Sequence, residues 1–192
     1  MLPDPETAEK LLTKRTRAVV LVTPNNPTGA VYPRELIHHF FDWAHSRGIR
    51  LVIDETYRDF LKHDQGRPHD LLDQSWQETL VQLYSFSKSF ALAGYRIEAI
   101  TASSELLRQI EKVMDCVAIC ASHLSQRAVI FALERLDTWR EGKRELMNTR
   151  AEAFQKYFEQ MLKGSFRISS IGPCFAYISY VGTKVSSGNS AK

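Results

Sequence analysis

The sequence has no long hydrophobic run, no excess of one charge and few cysteines. No stretch approaches the roughly 18 consecutive apolar residues of a membrane-spanning helix, and residues 1–6 lack the charged and then apolar pattern of a signal peptide. The 25 Lys and Arg residues nearly balance the 22 Asp and Glu residues, for a formal net charge of +3. We therefore expect a cytoplasmic protein that binds neither nucleic acid nor a membrane.

Cysteine occurs only at Cys116, Cys120 and Cys174. Cys116 and Cys120 are four residues apart, but no further Cys or His pair follows at metal-ligand spacing, so we predict no metal site. All three lie in apolar segments and their number is odd. We therefore predict that they are buried free thiols in a reducing compartment.

The composition is otherwise that of an ordinary globular protein. Hydrophobic residues make up 44%, charged residues 24% and aromatic residues 10% of the chain, which argues against disorder or collagen-like repetition. At about 150 residues per domain, the length of 192 residues allows one large domain and part of a second. No internal repeat is evident.

The first half of the chain alternates between strand and helix patterns. Residues 17–23, 49–53 and 79–84 are short apolar runs that predict buried strands, and the polar residues 63–77 predict a surface connection. Between the first two strands, helical spacing is shown by Ile37, Phe40, Phe41 and Ala44. This alternation predicts an α/β fold, with a mostly parallel sheet and helices on both faces.

A polar cluster follows each of the three predicted strands. The clusters are residues 25–29, 54–57 and 85–88. In a parallel sheet, the carboxyl ends of the strands meet at one edge, where ligands usually bind. We therefore expect the three clusters to converge on one site.

The second half is predicted to be mostly helical. Apolar stripes are formed by Ile110, Val113, Met114 and Val117, and then by Leu124, Ala128, Phe131 and Ala132. Residues 137–163 predict a long helix with Met147, Ala151, Phe154, Phe158 and Met161 inward. After Gly164 a period of two predicts short strands that begin an α+β unit, and the polar tail 182–192 has nothing to pack against.

Side chains in the clusters suggest one kind of chemistry. Lys88 lies among apolar residues, where a poorly solvated amine could attack a carbonyl; a surface lysine is the alternative. Asp54 ends a predicted strand. Its carboxylate could contact a cationic ligand atom, or it could cap the N-terminus of a helix. Two hydroxyls and an arginine, from Ser85, Ser87 and Arg96, could bind a phosphate. The alternative is that the serines are turn residues and the arginine lies on the surface. Taken together, a reactive lysine, a carboxylate for a cationic atom and a phosphate-binding group fit one cofactor, pyridoxal 5′-phosphate (PLP).

Three motifs, the third of which continues into a Gly-Tyr-Arg segment, then resemble a known family. They are TPNNPTG at 23–29, DETY at 54–57, and SFSKS at 85–89 followed by GYR at 94–96. In this order and spacing, they are similar to the motifs of the class I/II (fold-type I) PLP-dependent aminotransferases. The resemblance extends over nearly all of the chain.

The resemblance implies a role for each matching residue. Lys88 would form a Schiff base with PLP and later move a proton, and Asp54 would pair with the pyridine nitrogen. Asn26 and Tyr57 would bind the phenolic oxygen of the ring, and the bond between Asn26 and Pro27 is predicted to be cis. The phosphate would be held by Ser85, Ser87 and Arg96. Lys88, Asp54 and Tyr57 are the predicted catalytic residues.

The resemblance also implies parts that have no counterpart in this chain. Family members carry an earlier phosphate-binding turn, a ring-stacking aromatic residue and a later arginine for the substrate carboxylate. We therefore expect residues 1–142 to form a PLP-binding large domain without its N-terminal part, and residues 143–192 a linker helix and an incomplete small domain. Glu98 stands where members usually have glycine, which puts the local packing and the position of Arg96 in question.

The expected function is that of an aminotransferase, which moves an amino group between an amino acid and a 2-oxo acid. We expect a homodimer, and we expect this truncated chain to be impaired on its own. One alternative is a PLP-dependent lyase or decarboxylase on the same fold. Others are a PLP-binding sensor without turnover and a structural fragment that binds nothing.

Overall fold

The computed structural model of the protein describes residues 2–161 and 164–181. The helices in these residues are α1 (Pro5–Leu11), α2 (Arg34–Ser46), α3 (Phe86–Ser89), α4 (Ser104–Val117), α5 (His123–Arg135) and α6 (Asp137–Met161). The strands are β1 (Ala18–Val22), β2 (Arg50–Asp54), β3 (Leu80–Ser85), β4 (Glu98–Thr101), β5 (Phe166–Ile171) and β6 (Ala176–Tyr180). The end of the helix predicted over 137–163 and the predicted polar tail at 182–192 lie outside the described residues.

The first four strands form one mixed sheet in the order β1-β2-β3-β4. β1, β2 and β3 are parallel, whereas β4 runs antiparallel to β3. The predicted α/β class with a mostly parallel sheet is thus confirmed. β5 and β6 form a separate antiparallel hairpin.

α1 and β4 are among the elements of this fold that were not predicted from the sequence. α1 begins after Asp4, whose carboxylate accepts hydrogen bonds from the backbone N–H groups of Glu6 and Thr7. This N-cap and the proline at the first helical position are start signals, but the helix is only seven residues long. β4 was missed because it is a short strand with three exposed residues, so it lacks the alternation of a half-buried strand.

The main core lies between α2 and the sheet. The predicted inward residues of α2, Ile37, Phe40, Phe41 and Ala44, are all buried. They pack against Leu21, Leu51, Ile53 and Leu80 of the parallel strands. Burial of each large side chain of this kind contributes roughly 1.5–3 kcal/mol, so this layer fixes the positions of the strand ends.

α4 and α5 form as predicted, but their apolar stripes are largely uncovered. α4 has no buried residue, and the side chains of Val113 and Val117 are 63% and 74% exposed. The buried residues of α5 are Ser125, Val129 and Ala132, whereas Leu124 and Phe131 are exposed. The inward face of α5 is therefore offset from the predicted stripe. Val129 and Ala132 belong to a buried cluster with Phe86 and Phe90, and the hydroxyl of Ser125 donates a hydrogen bond to the carbonyl of Tyr95.

The cysteine prediction was wrong in part. The three thiols are free, but Cys116 and Cys120 are exposed and Cys174 is only partly buried. Cys116 lies on α4, and Cys120 lies just after it. An apolar helical stripe shows which face avoids water, but it does not show that another element covers that face.

α6 is attached to the loop that follows β2. Nε of Arg144 donates to the carbonyl of Asp59 at 2.8 Å, and Nδ2 of Asn148 donates to the carbonyl of Phe60 at 2.9 Å. Of the five residues predicted to face inward, Phe158 is buried, Met147 and Ala151 are half-buried, and Phe154 and Met161 are exposed. The division into domains at residues 142 and 143 stays a prediction.

The segment 63–77 is more than a surface connection. It contains two short 3-10 turns, and its residues His69 and Leu71 are buried. Among the helices within the described ranges, none is long and apolar enough to cross a membrane.

Candidate cofactor site

The carboxyl ends of the three parallel strands meet at one edge of the sheet. Val22 is in register with Asp54, and Asp54 with Leu83. Backbone hydrogen bonds continue past the strand ends. Thr23 N donates to the carbonyl of Asp54 at 3.0 Å, and Glu55 N donates to the carbonyl of Leu83 at 2.9 Å. The three polar clusters therefore converge, as the strand order predicts. A cavity of about 350 Å³ at this edge is lined by all seven predicted site residues: Asn26, Asp54, Tyr57, Ser85, Ser87, Lys88 and Arg96.

Asp54 is the last residue of β2 and is half-buried. Its Oδ1 accepts hydrogen bonds from Thr56 N at 2.9 Å and from Thr56 Oγ1 at 2.7 Å. This turn holds the carboxylate at the cavity wall, and Asp54 caps none of the helices in the described part of the chain. Sequence reasoning missed Thr56, although an Asp with a hydroxyl residue two positions later is a known turn signal.

Tyr57 is buried in the cavity wall and has its hydroxyl beside the side chain of Asn26. Burial raises the pKa of Tyr57, and Cys174 and Asp54 add to this effect, whereas a hydrogen bond with Asn26 partly opposes it. The hydroxyl therefore stays protonated at neutral pH. It can donate a hydrogen bond to a ligand oxygen.

The turn that carries Asn26 is fixed by its neighbour Asn25. Oδ1 of Asn25 accepts from Thr28 N at 3.1 Å and from Thr28 Oγ1 at 2.7 Å. The bond between Asn26 and Pro27 is cis, as predicted, and the bond between Thr23 and Pro24 is also cis. Asn26 itself is exposed, at the mouth of the cavity.

Lys88 lies in α3, the single helical turn that follows β3. Its neighbours Ser87 and Ser89 are buried, but the side chain of Lys88 is exposed. Of the two alternatives for Lys88, a poorly solvated amine and a surface lysine, the exposure of the side chain agrees with the second. Successive side chains of a helical turn point in different directions, so Phe86 and Phe90 enter the core while Lys88 lines the cavity.

Ser85 and Ser87 are the two buried serines of the cavity. Ser85 Oγ caps α3 by accepting a hydrogen bond from Ser87 N at 3.3 Å. Ser87 Oγ has no hydrogen-bond partner within the described part of the chain. A buried hydroxyl without a partner is unfavourable, so Ser87 is suited to bind a ligand that supplies an acceptor.

Arg96 reaches the same cavity through an unusual backbone conformation. Its φ and ψ angles are 47° and 53°, in the left-handed region that is costly for residues other than glycine. Its Nη1 donates to the carbonyl of Ala93 at 3.1 Å. The side chain is exposed, so the guanidinium has access to a bound anion.

Glu98 also lines the cavity. It is the first residue of β4 and is in register with Ser85. Ser85 Oγ donates a hydrogen bond to Glu98 Oε1 at 3.3 Å. The unusual residue noted in the sequence therefore contacts one of the predicted phosphate ligands.

The β5–β6 hairpin approaches the site from the far end of the sequence. The ring of Phe175 packs edge-on against Tyr57, with 5.0 Å between the ring centroids. Gly29, with φ +73°, and Gly172 are so close that an added Cβ on either residue would overlap the backbone of the other. Burial raises the pKa of the Cys174 thiol to about 11, although the positive charge of Lys88 lowers it in part. Sequence reasoning missed this approach, since no local pattern reports contacts between distant segments.

The groups in this cavity fit PLP. Lys88, Asp54 and Tyr57 supply an amine, a carboxylate and a phenol, and the Ser87 hydroxyl, which has no partner among the described residues, suits a phosphate oxygen. The volume is within the usual range for small ligands, about 300–1,000 Å³. No cluster of three or more His, Cys, Asp or Glu side chains in the described ranges could hold a metal ion.

Comparisons with known proteins point to the same family. The sequence profile "Aminotransferase class I and II" matches residues 2–191. The aspartate aminotransferase of Pyrococcus horikoshii is 31% identical over 162 residues, which are 83% of this chain and 41% of that protein. The aspartate/prephenate aminotransferase of Thermus thermophilus is 29% identical over 163 residues, or 85% of this chain and 40% of that protein.

A solved structure agrees with the sequence comparisons. The aspartate aminotransferase from Thermus thermophilus with maleate superposes with a TM-score of 0.79 at 27% identity, and the match covers 89% of this chain and 44% of that one. The chain therefore spans about two fifths of the length of these relatives. Because the family profile matches almost every residue and the fold agrees, the chain belongs to the class I and II aminotransferase family.

Proposed function

We propose that this chain carries the cofactor-binding part of a PLP-dependent aminotransferase. The reaction would move an amino group between an amino acid and a 2-oxo acid. The observation that carries the proposal is the single cavity lined by Lys88, Asp54, Tyr57 and the predicted phosphate ligands. Relatives named as aminotransferases support it.

Each side chain would contribute a distinct physical effect. PLP, when bound, supplies a ring that stabilises negative charge at the substrate Cα. The Nζ of Lys88 would attach the cofactor through its aldehyde, and the free amine would later move a proton to and from Cα. The carboxylate of Asp54, held by Thr56, would favour a positive charge on the ring nitrogen. The protonated hydroxyl of Tyr57 would donate to the phenolic oxygen.

The anionic end of the cofactor would lie between α3 and Arg96. Ser87 would donate its hydroxyl, which has no other partner in the described residues, and Arg96 would add a positive charge. Ser85 would join them once its hydroxyl turned from Glu98 to the phosphate.

The substrates and partners of the whole protein belong to the same proposal. The chain spans about two fifths of the length of its relatives, so much of their sequence has no match in it. We propose an amino acid and a 2-oxo acid as substrates and a homodimer as the assembly. We also expect weak substrate binding by the chain as it stands.

The direct test is attachment of PLP to Lys88. PLP is added to the purified chain, the visible absorbance of the Schiff base is recorded, and borohydride reduction followed by peptide mass spectrometry locates the modified lysine. We expect modification at Lys88 and its loss in Lys88→Ala. Lys112→Ala is the matched control, since Lys112 is an exposed lysine on α4 outside the cavity.

The response to amino acids separates turnover from binding alone. For an aminotransferase, the band decreases when an amino acid is added and returns with a 2-oxo acid. Modification spread evenly over surface lysines, or no band with folded protein, would contradict the proposal. A band at Lys88 that ignores every amino acid would favour a sensor.

A further inference from the structure

A carboxylate occupies the part of the cavity proposed for the phosphate. Glu98 Oε1 accepts the hydrogen bond of Ser85 Oγ at 3.3 Å, and Glu98 lines the same cavity as Ser87 and Arg96. The contact follows from the strand pairing, since Ser85 of β3 and Glu98 of β4 are register partners. A side chain at residue 98 therefore starts directly opposite Ser85 on the neighbouring strand.

Glu98 changes the charge balance of the cavity. Two positive side chains, Lys88 and Arg96, are matched by two negative ones, Asp54 and Glu98. Asp54 suits the cationic ring nitrogen, so its charge is of use to the cofactor. Glu98 instead lies beside the phosphate ligands, where a second negative charge repels an anion.

Glu98 also competes for a hydrogen-bond donor. The hydroxyl of Ser85 has one proton, and it is donated to Glu98 Oε1. A phosphate oxygen can accept that proton only if the carboxylate moves away. Glu98 is exposed, so its side chain has solvent to move into, but the displacement lowers the net gain from phosphate binding.

We propose that Glu98 is a specificity-determining residue that weakens the binding of a phosphate-bearing ligand at this site relative to its phosphate-free analogue. The inference deepens the proposed function and rests on it. Glu98 acts on the phosphate and leaves the contacts of the ring with Asp54 and Tyr57 unchanged. A purely structural role for Glu98 would affect both kinds of ligand equally.

The test compares PLP with pyridoxal, which has the same ring and aldehyde but no phosphate. Dissociation constants for both are measured by absorbance titration on the wild-type chain, Glu98→Gln and Glu98→Gly. For PLP we expect both variants to bind about tenfold more tightly, which corresponds to about 1.4 kcal/mol. For pyridoxal we expect a change of less than about twofold. The matched control is Glu111→Gln, an exposed glutamate of α4 outside the cavity, which should change neither constant.

Two results would overturn the inference. One is an unchanged affinity for PLP in both Glu98 variants, and the other is an equal change for PLP and pyridoxal. If neither ligand attaches to Lys88 in any variant, the proposed function has failed, and inorganic phosphate becomes the probe. Phosphate binding, followed by ³¹P NMR, should then be stronger in Glu98→Gln than in the wild type; equal binding would overturn the role of Glu98 as well.

Discussion

Oε1 of Glu55 lies 3.2 Å from Nε2 of His69, and both side chains are almost completely buried. On the other carboxylate oxygen, Gln82 Nε2 donates a hydrogen bond and Arg58 Nη1 lies at 3.2 Å. Burial alone would raise the pKa of Glu55, but His69, Arg58 and Gln82 together outweigh it and lower the pKa. Glu55 directly follows Asp54, so this buried cluster supports the turn that forms one wall of the site.

Replacing Glu55 with Gln is expected to destabilise the protein. Glu55→Gln keeps the shape of the side chain but removes the negative charge beside Arg58 and His69, and poorly paired buried polar groups cost about 1–3 kcal/mol of unfolding free energy at pH 7. Urea unfolding measures the loss. Glu152→Gln, which removes an exposed partner of Lys62, is the matched control and should have little effect.

The same variant gives a prediction for acid pH. The folded-state pKa of Glu55 is lowered, so its contribution to stability is present above its ordinary pKa of 4.5 and is lost as the pH falls below that value. The difference in stability between the wild type and Glu55→Gln should therefore shrink below about pH 4. A difference that is constant from pH 7 to pH 3 would contradict the assigned charge interaction.

Two buried serines should respond differently to replacement by alanine. Ser87→Ala removes a buried hydroxyl that has no partner in the described residues, so the unfolding free energy should stay the same or rise, while PLP binding weakens about tenfold. Ser125→Ala leaves the carbonyl of Tyr95 unpaired and should cost about 1–2 kcal/mol. Thermal unfolding and PLP titration check both. Equal destabilisation by the two variants would show that Ser87 is already satisfied.

The three thiols are expected to react at different rates. Cys116 and Cys120 are exposed, whereas burial raises the pKa of Cys174 to about 11. Only the thiolate is nucleophilic, so iodoacetamide at pH 8 should modify Cys174 last. Peptide mass spectrometry over time gives the order. Lys88→Gln should slow Cys174 further, because it removes the positive charge that favours the thiolate; a faster reaction in this variant would count against the contact.

Two glycine-to-alanine variants test the close contact between Gly172, in the β5–β6 hairpin, and Gly29. The added Cβ of Gly172→Ala would overlap the carbonyl of Gly29, so the variant should lose about 1–3 kcal/mol of unfolding free energy. Gly142 lies inside α6 with nothing near its Cβ position. Gly142→Ala should therefore stabilise the protein by about 0.5–1 kcal/mol. If Gly172→Ala were as stable as the wild type, the hairpin would not pack against residue 29.

Sequence patterns predict those parts of this molecule that depend on neighbouring residues. The parallel strands and the inward face of α2 follow from the spacing of apolar side chains, and the convergence of three clusters follows from parallel strand order. The cis bond at Asn26 follows from local turn chemistry together with the family resemblance. All of these are confirmed by the structure.

The remaining features depend on contacts that sequence periodicity does not encode. The exposure of Lys88 depends on the direction of one short helical turn, and the buried His69 lies beside Glu55, which is 14 residues earlier in the chain and follows β2. Likewise, the approach of Phe175 to Tyr57 joins segments far apart in the chain. The roles of the site residues toward PLP stay predictions until a ligand is tested.

α4 differs from the sheet in how much of its surface is buried by other elements. Ser103 caps this helix of 14 residues, yet none of its residues is buried. A helix of this length that depends mainly on its own hydrogen bonds is only marginally stable in water. Its amide hydrogens should exchange with deuterium through local opening, at a much lower free energy than those of β2, where Leu51 and Ile53 are fully buried. Local opening of α4 is therefore expected to leave the amide protection of the sheet that carries the site unchanged.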